Sequence, residues 1–100
     1  MPINGKEIRS IWDPKKEEYF FSVVDVVNAL TDSNNPRNYW NTLKRRMTEE
    51  EKSELYTKCV QLKMKSQKDG KKYLTDTLDT KWILSVNRAV DYYRSKRIWW

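Results

Sequence analysis

Residues 22–47 read SVVDVVNALTDSNNPRNYWNTLKRRM, and this segment predicts two short helices joined by a polar link. Ser22 is a suitable N-cap for a helix that begins at Val23, with Asp25 in the position of a capping-box partner. Asn35 followed by Pro36 predicts the start of the second helix, because proline fits the first helical position. The apolar residues of the first helix share one face: Val23, Val26, Val27 and Leu30.

The second helix has an apolar stripe and a separate polar face. The stripe consists of Tyr39, Trp40, Leu43 and Met47. The polar face consists of Arg37, Asn41, Lys44 and Arg45. Arginine pairs bidentately with guanine, asparagine with adenine, and lysine suits phosphates. A helix pair with a basic second helix is the sequence form of a helix-turn-helix, although an ordinary solvated helix face would show the same pattern.

A lysine-rich hairpin is predicted in the second half of the chain. Val60, Leu62 and Met64 alternate with polar residues as in a strand, and Asp69-Gly70 predicts the turn. Five lysines crowd around this turn: Lys63, Lys65, Lys68, Lys71 and Lys72. This pattern has two interpretations. The lysines can contact DNA phosphates, or they can keep an edge strand from pairing with a strand of another molecule.

The remaining elements complete an α+β pattern. Residues 7–12 and 17–22 predict a first hairpin, and Thr48-Glu49-Glu50-Glu51 predicts a capping box that opens a third short helix through about Tyr56. A last helix is predicted from Asp79 or Thr80 to about Tyr93. The sequence therefore predicts an α+β fold in which two β-hairpins pack with about four short helices, with a helix-turn-helix-like pair in the middle. The predicted core face of the last helix is Ile83, Val86, Val90 and Tyr93.

Composition limits the kinds of function that this chain can have. Its 100 residues suit one domain, spanning 1–100, and its net charge of +6 favours a polyanionic partner. With no histidine and one cysteine, a Cys/His zinc site, a histidine-based triad and an internal disulfide are excluded. Asp76 and Asp79 are predicted to be helix caps. We therefore expect no catalytic residues, no metal and no cofactor, and a chain that is not an enzyme.

The two ends of the chain carry further expectations. The N-terminus lacks the apolar stretch of a secretory signal, and no apolar run approaches the ~20 residues of a membrane helix. We expect no membrane partner and a reducing compartment: the bacterial cytoplasm, or the nucleus for a eukaryotic virus. At the other end, Ile98, Trp99 and Trp100 are predicted to dock on the domain's own core or on a second copy in a homodimer.

Several of these motifs occur together in one known family. The runs Ile8-Arg9-Ser10-Ile11-Trp12, 19–30 (YFFSVVDVVNAL), 31–40 (TDSNNPRNYW), 43–46 (LKRR) and 70–76 (GKKYLTD) resemble the BRO family N-terminal domain. This domain occurs in phage antirepressors, baculovirus BRO proteins and prophage-derived regulators. The resemblance spans roughly residues 6–86. Beyond about Val86 the sequence departs from the family pattern, so the resemblance implies a truncated, degenerate or free-standing member.

The resemblance implies DNA binding and transcriptional regulation, and it assigns no base-reading residues. We therefore expect a domain that binds double-stranded DNA in a phage- or prophage-type transcriptional regulator or antirepressor. The alternative is a protein-interaction module that binds a repressor without contacting DNA, in which exposed tyrosine and tryptophan would matter more than lysine. A nuclease is disfavoured, because the sequence lacks a carboxylate constellation for a metal.

Overall fold

The computed structural model describes residues 2–3, 5–31, 33–51, 57–66 and 68–95. Its elements confirm the α+β class. Within these ranges, no helix is long and apolar enough to cross a membrane. The elements in chain order are β1 (Pro2–Ile3), β2 (Lys6–Glu7), β3 (Ser10–Asp13), β4 (Glu18–Ser22), α1 (Val23–Thr31), α2 (Pro36–Glu51), β5 (Val60–Lys65), β6 (Lys72–Asp79) and α3 (Thr80–Ser95).

The two predicted hairpins are present and form one antiparallel sheet. β3 pairs with β4, and β5 pairs with β6. The strand order is β3-β4-β6-β5, so β4 and β6 join the hairpins in the middle of the sheet. At this junction Phe21 lies opposite Leu78. A separate two-stranded ribbon is formed by β1 and β2.

The predicted first strand, residues 7–12, is divided in the structure. Glu7 belongs to β2, whereas Ser10 begins β3. Between them, Ile8 is buried in the core, and Arg9 turns toward α1 and contacts Asp25. The strand prediction was wrong here, because alternating polarity along a segment does not reveal a contact with a distant helix.

The starts of α1 and α2 agree with the sequence prediction, except for one hydrogen bond of the predicted capping box. The hydroxyl of Ser22 accepts a hydrogen bond from the backbone N of Asp25 at 3.2 Å, which confirms the N-cap of α1. The reciprocal half of the capping box is absent, since the backbone N of Ser22 donates to the carbonyl of Arg9 at 3.0 Å. The second cap is confirmed, because Asn35 Oδ1 accepts from the backbone N of Asn38 at 3.0 Å.

The expected third short helix does not begin at Thr48. Residues 48–51 continue α2, which runs for 16 residues to Glu51. A Thr-x-x-Glu pattern also fits a helix interior, and no proline or glycine interrupts this stretch, so the preceding helix continues through it. Residues 52–56 of the predicted helix lie outside the described ranges, and Thr57 and Lys58 are helical. The described ranges thus contain three helices of nine or more residues instead of about four.

One apolar core holds the helices on the sheet. The predicted stripes of α2 and α3 are buried: Tyr39, Trp40, Leu43 and Met47 from α2, with Ile83, Val86, Val90 and Tyr93 from α3. Of the predicted α1 face, Val23, Val26 and Val27 are buried and Leu30 is partly buried. The α2 and α3 stripes pack in one cluster with the α1 valines and with Phe21 and Leu78 of the sheet. The C-terminal residues for which docking or a homodimer was expected, Ile98, Trp99 and Trp100, lie outside the described residues.

Candidate nucleic-acid interface

The surface of α2 away from the core carries arginine and asparagine. Burial of the apolar stripe fixes the rotation of the helix and therefore decides which side chains face outward. Among the α2 side chains that the structure describes, in residues 36–47, four polar ones are exposed, and we call them the α2 arc: Arg37, Asn38, Asn41 and Arg45. Three of them were predicted from the sequence. Asn38 was missed, although its spacing of seven residues from Arg45 places both on the same side of the helix.

Lys44 differs from the other predicted residues of this helix. Its side chain is 24% exposed, and its Nζ donates to Asp76 Oδ2 at 2.8 Å. The same ammonium lies 5.6 Å from the ring centroid of Trp40. The structure therefore turns Lys44 toward β6 at the border of the core, whereas Arg37, Asn41 and Arg45 stay exposed.

Asp76 is the partner that sequence reasoning assigned to a different role. Asp76 was predicted as a helix cap, but it lies within β6. Its carboxylate accepts hydrogen bonds from Lys44 Nζ and Trp40 Nε1, both at 2.8 Å, and from Gln61 Nε2 at 3.2 Å. Burial alone would raise the pKa of this carboxyl group, but the three donors together hold its pKa below the usual 3.8. Asp79 does act as a cap, because its Oδ1 accepts from the backbone N of Trp82 at 2.9 Å.

The lysine hairpin, meaning β5, β6 and their turn, exposes all five predicted lysines. Lys65 lies directly opposite Lys72, so two positive charges meet on one face of the ladder. The turn is closed by a hydrogen bond from Gly70 N to Ser66 O at 3.0 Å, and Gly70 has a φ of 73°, which glycine adopts without strain. The lysines are Lys63, Lys65, Lys68, Lys71 and Lys72.

Asp69, the acidic residue of this turn, forms hydrogen bonds within its own hairpin. The carboxylate of Asp69 accepts hydrogen bonds from the Tyr73 hydroxyl at 2.5 Å and from the backbone N of Lys71 at 2.9 Å. Both bonds lower the pKa of Asp69, the one from Tyr73 most. The hydrogen bond between the two side chains also raises the pKa of the Tyr73 hydroxyl. The carboxylate thus serves the geometry of the turn, and the lysines dominate the charge at the tip.

A cleft of about 140 Å³ separates α2 from the lysine hairpin. The two candidate surfaces therefore adjoin each other instead of lying on opposite sides of the domain. The Lys44–Asp76 pair is part of the lining and connects the two walls. The lining residues are Val24, Arg37, Trp40, Asn41, Lys44, Gln61, Leu74, Thr75 and Asp76.

Arg9 holds the far end of β5 close to α1. Its guanidinium pairs with Asp25 and donates to the carbonyl of Lys65 at 3.1 Å and to the hydroxyl of Ser22 at 3.3 Å. Lys65 is the last residue of β5, next to the turn. The base of the turn is thus fixed to the first turn of α1, which orients the lysine hairpin relative to the helix pair.

Two kinds of chemistry concern the acidic and cysteine side chains in the described part of the chain, metal binding and thiol reactivity. It contains no cluster of three or more His, Cys, Asp or Glu side chains that could hold a metal ion. Burial raises the pKa of the Cys59 thiol to about 12, and the negative charge of Asp76 adds to the effect. A thiol with so high a pKa is a poor nucleophile at neutral pH.

The β3–β4 hairpin presents a different kind of surface. Trp12 and Tyr19 lie opposite each other on the ladder and are 48% and 49% exposed. Their ring centroids are 4.9 Å apart in an edge-to-face arrangement. Exposed aromatic pairs of this kind are typical of contact surfaces for proteins.

Comparison with protein families, with curated proteins and with solved structures found no match. The resemblance to the BRO N-terminal domain therefore rests on the residues that carry it. The α2 helix contains residues 43–46 and the second half of the run 31–40, and the lysine hairpin contains residues 70–76.

Proposed function

We propose that this chain is a DNA-binding domain of a phage- or prophage-type transcriptional regulator or antirepressor, and that it contacts double-stranded DNA through α2 and the lysine hairpin. The observation that carries the proposal is that Arg37 and Asn41 of the α2 arc line one cleft with Gln61, Leu74 and Asp76 of the hairpin. The exposed Lys63, Lys65 and Lys72 lie on the same face of the β5–β6 ladder as those three hairpin residues. The arc offers side chains that can recognise base edges, and the hairpin offers charge for the phosphate backbone.

The composition of the α2 arc favours the major groove. An α-helix fits the major groove, where arginine pairs with guanine and asparagine with adenine. Arg37, Asn38, Asn41 and Arg45 lie within the first ten residues of α2, and the first residues of a recognition helix are those that meet base edges in a helix-turn-helix. Lys44 is not assigned to base recognition, because its ammonium is bound to Asp76.

The lysine hairpin suits the phosphates that flank the groove. Lysine is a flexible point charge and binds phosphate without demanding a fixed geometry. Lys65 and Lys72 face each other across the ladder, and a phosphate between them would offset the repulsion of the two charges. Arg9 fixes the turn end of this hairpin, at Lys65, to the N-terminal end of α1, so the lysines keep a defined position relative to the helices.

The direct experiment is selection of bound sequences from a random duplex library, followed by affinity measurements on the selected and random duplexes. The double variant Arg37→Ala/Asn41→Ala should lose about tenfold or more in affinity for the selected duplex, since one bidentate pair contributes roughly 1–3 kcal/mol. Its affinity for random DNA should change much less.

A matched control lies on α3, where Asn87 and Arg88 are likewise exposed on a helix. The variant Asn87→Ala/Arg88→Ala removes the same two residue types and the same charge, and it should bind both duplexes like the unaltered chain. Absence of duplex binding by the unaltered chain, or equal losses in the two double variants, would contradict the proposal.

A second candidate function is binding to a protein such as a repressor, and the exposed Trp12–Tyr19 pair favours it. This function predicts that Trp12→Ala/Tyr19→Ala abolishes regulation in cells while the affinity for DNA is unchanged. A salt series separates the two functions further. Phosphate contacts make log affinity fall steeply with log salt, which an aromatic protein contact does not.

A further inference from the structure

The cleft between α2 and the lysine hairpin has walls of mixed charge. Arg37 and Lys44 contribute two positive charges and Asp76 one negative charge, so the three groups together carry +1. Asn41 and Gln61 add amide groups to the same lining. The cleft is partly open to solvent, and its volume of about 140 Å³ exceeds the ~30 Å³ that one water molecule occupies by several-fold, which is room for a phosphate group.

Asp76 has two hydrogen-bond donors besides Lys44. Asp76 accepts from Trp40, whose indole is almost fully buried, and from Gln61, which lies on the neighbouring strand. If Lys44 turned away, two donors would still satisfy the carboxylate, so the cost of the movement would be reduced. Lysine has a long, flexible stem, and a quarter of the Lys44 side chain is already exposed.

We propose that this cleft receives one backbone phosphate of the bound DNA, and that Lys44 leaves Asp76 to bind that phosphate. The inference rests on the proposed function and extends it. Asp76 then holds Lys44 in place in the free protein and competes with DNA for the same ammonium. DNA binding would thereby break the Lys44–Asp76 contact between the recognition helix and the lysine hairpin.

The test uses the full chain and duplexes in which single phosphates are replaced, one at a time, by the neutral methylphosphonate. With the unaltered chain, replacement of the phosphate in the cleft should weaken binding about tenfold, the effect of one interaction of ~1.4 kcal/mol. The variant Lys44→Gln lacks the ammonium that binds this phosphate and keeps only Arg37 beside it, so the same replacement should weaken its binding much less.

Lys81→Gln is the matched control. Lys81 Nζ lies 5.6 Å from the ring centroid of Trp82, the same distance as Lys44 from Trp40, but it sits on α3 away from the cleft. This variant removes the same charge and the same kind of ring contact, and it should retain the full sensitivity to every methylphosphonate. Equal patterns of sensitivity for Lys44→Gln and the unaltered chain would overturn the inference.

Asp76→Asn tests the competition directly. Removal of the competing charge should raise DNA affinity several-fold, whereas a purely structural role of Asp76 predicts a loss of affinity together with the loss of stability. A decrease would overturn the inference. Failure of the proposed function is distinguishable from either result, because the unaltered chain would then bind no duplex at all.

Discussion

Arg9 and Asp25 form a two-pronged ion pair between the start of β3 and the first turn of α1. Arg9 Nε lies 2.8 Å from Asp25 Oδ2, and Arg9 Nη2 lies 3.0 Å from Oδ1. The backbone N of Arg9 donates to the same Oδ2 at 2.9 Å. Because the guanidinium also reaches the carbonyl of Lys65, one side chain joins the sheet, the helix pair and the lysine hairpin.

This pair predicts a large effect from a small substitution. Asp25→Asn keeps the shape of the side chain but removes the charge, and we expect it to reduce the free energy of unfolding by roughly 2 kcal/mol, as for a hydrogen-bonded charged group. Asp79→Asn is the control, because Asp79 also lies at the start of a helix and asparagine caps equally well. Urea unfolding measures both variants, and equal stabilities would contradict the prediction.

Acid should weaken the contact between α2 and β6. The donors around Asp76 lower the pKa of its carboxyl group in the folded state below the usual 3.8. The ionised carboxylate therefore contributes its full stability at a pH above 3.8. This contribution is lost as the pH falls through the lower pKa of the folded state. The stability difference between the unaltered chain and Asp76→Asn should therefore shrink as the pH falls from neutral through this range, as measured by urea unfolding. The exposed Asp91 supplies the control, and Asp91→Asn should show little difference at either end of the range.

Cys59 should be unreactive in the folded protein. Its pKa is raised to about 12 by burial and by Asp76, so at a pH of about 8 only ~10⁻⁴ of the thiol is ionised. Alkylation by iodoacetamide should be very slow at that pH and should accelerate strongly in denaturant, which mass spectrometry can follow. Fast alkylation of the native chain under the same conditions would show that the thiol is not shielded in this way.

The lysine hairpin should supply affinity that is independent of sequence. Lys71→Gln/Lys72→Gln should weaken binding to selected and random duplexes equally, and the slope of log affinity against log salt should flatten by ~0.9 for each phosphate that the hairpin no longer neutralises. Lys15→Gln/Lys16→Gln is the control, since these lysines are adjacent and exposed at the turn of the other hairpin. A loss of sequence preference at an unchanged slope would mean that the hairpin reads bases and α2 does not.

Local sequence predicted most of the elements, because their signals lie within a few residues of one another. The caps Ser22 and Asn35 and the glycine turn at Gly70 were each predicted from their immediate neighbours. Periodicity likewise predicted which faces of α2 and α3 are buried, since a helix repeats its faces every three or four residues. The same periodicity identified three of the four residues of the α2 arc.

The α+β class, the two hairpins, the helix faces and the basic charge all follow from the amino-acid sequence without a structure. Three features required the folded structure: the pairing of β4 with β6, the contact of Arg9 with Asp25, and the turn of Lys44 from the outer face of α2 to Asp76. The last two interactions join residues 16 and 32 positions apart. No local pattern encodes such a partner, because the attraction between the two charges exists only once packing of the core has brought them within a few ångströms.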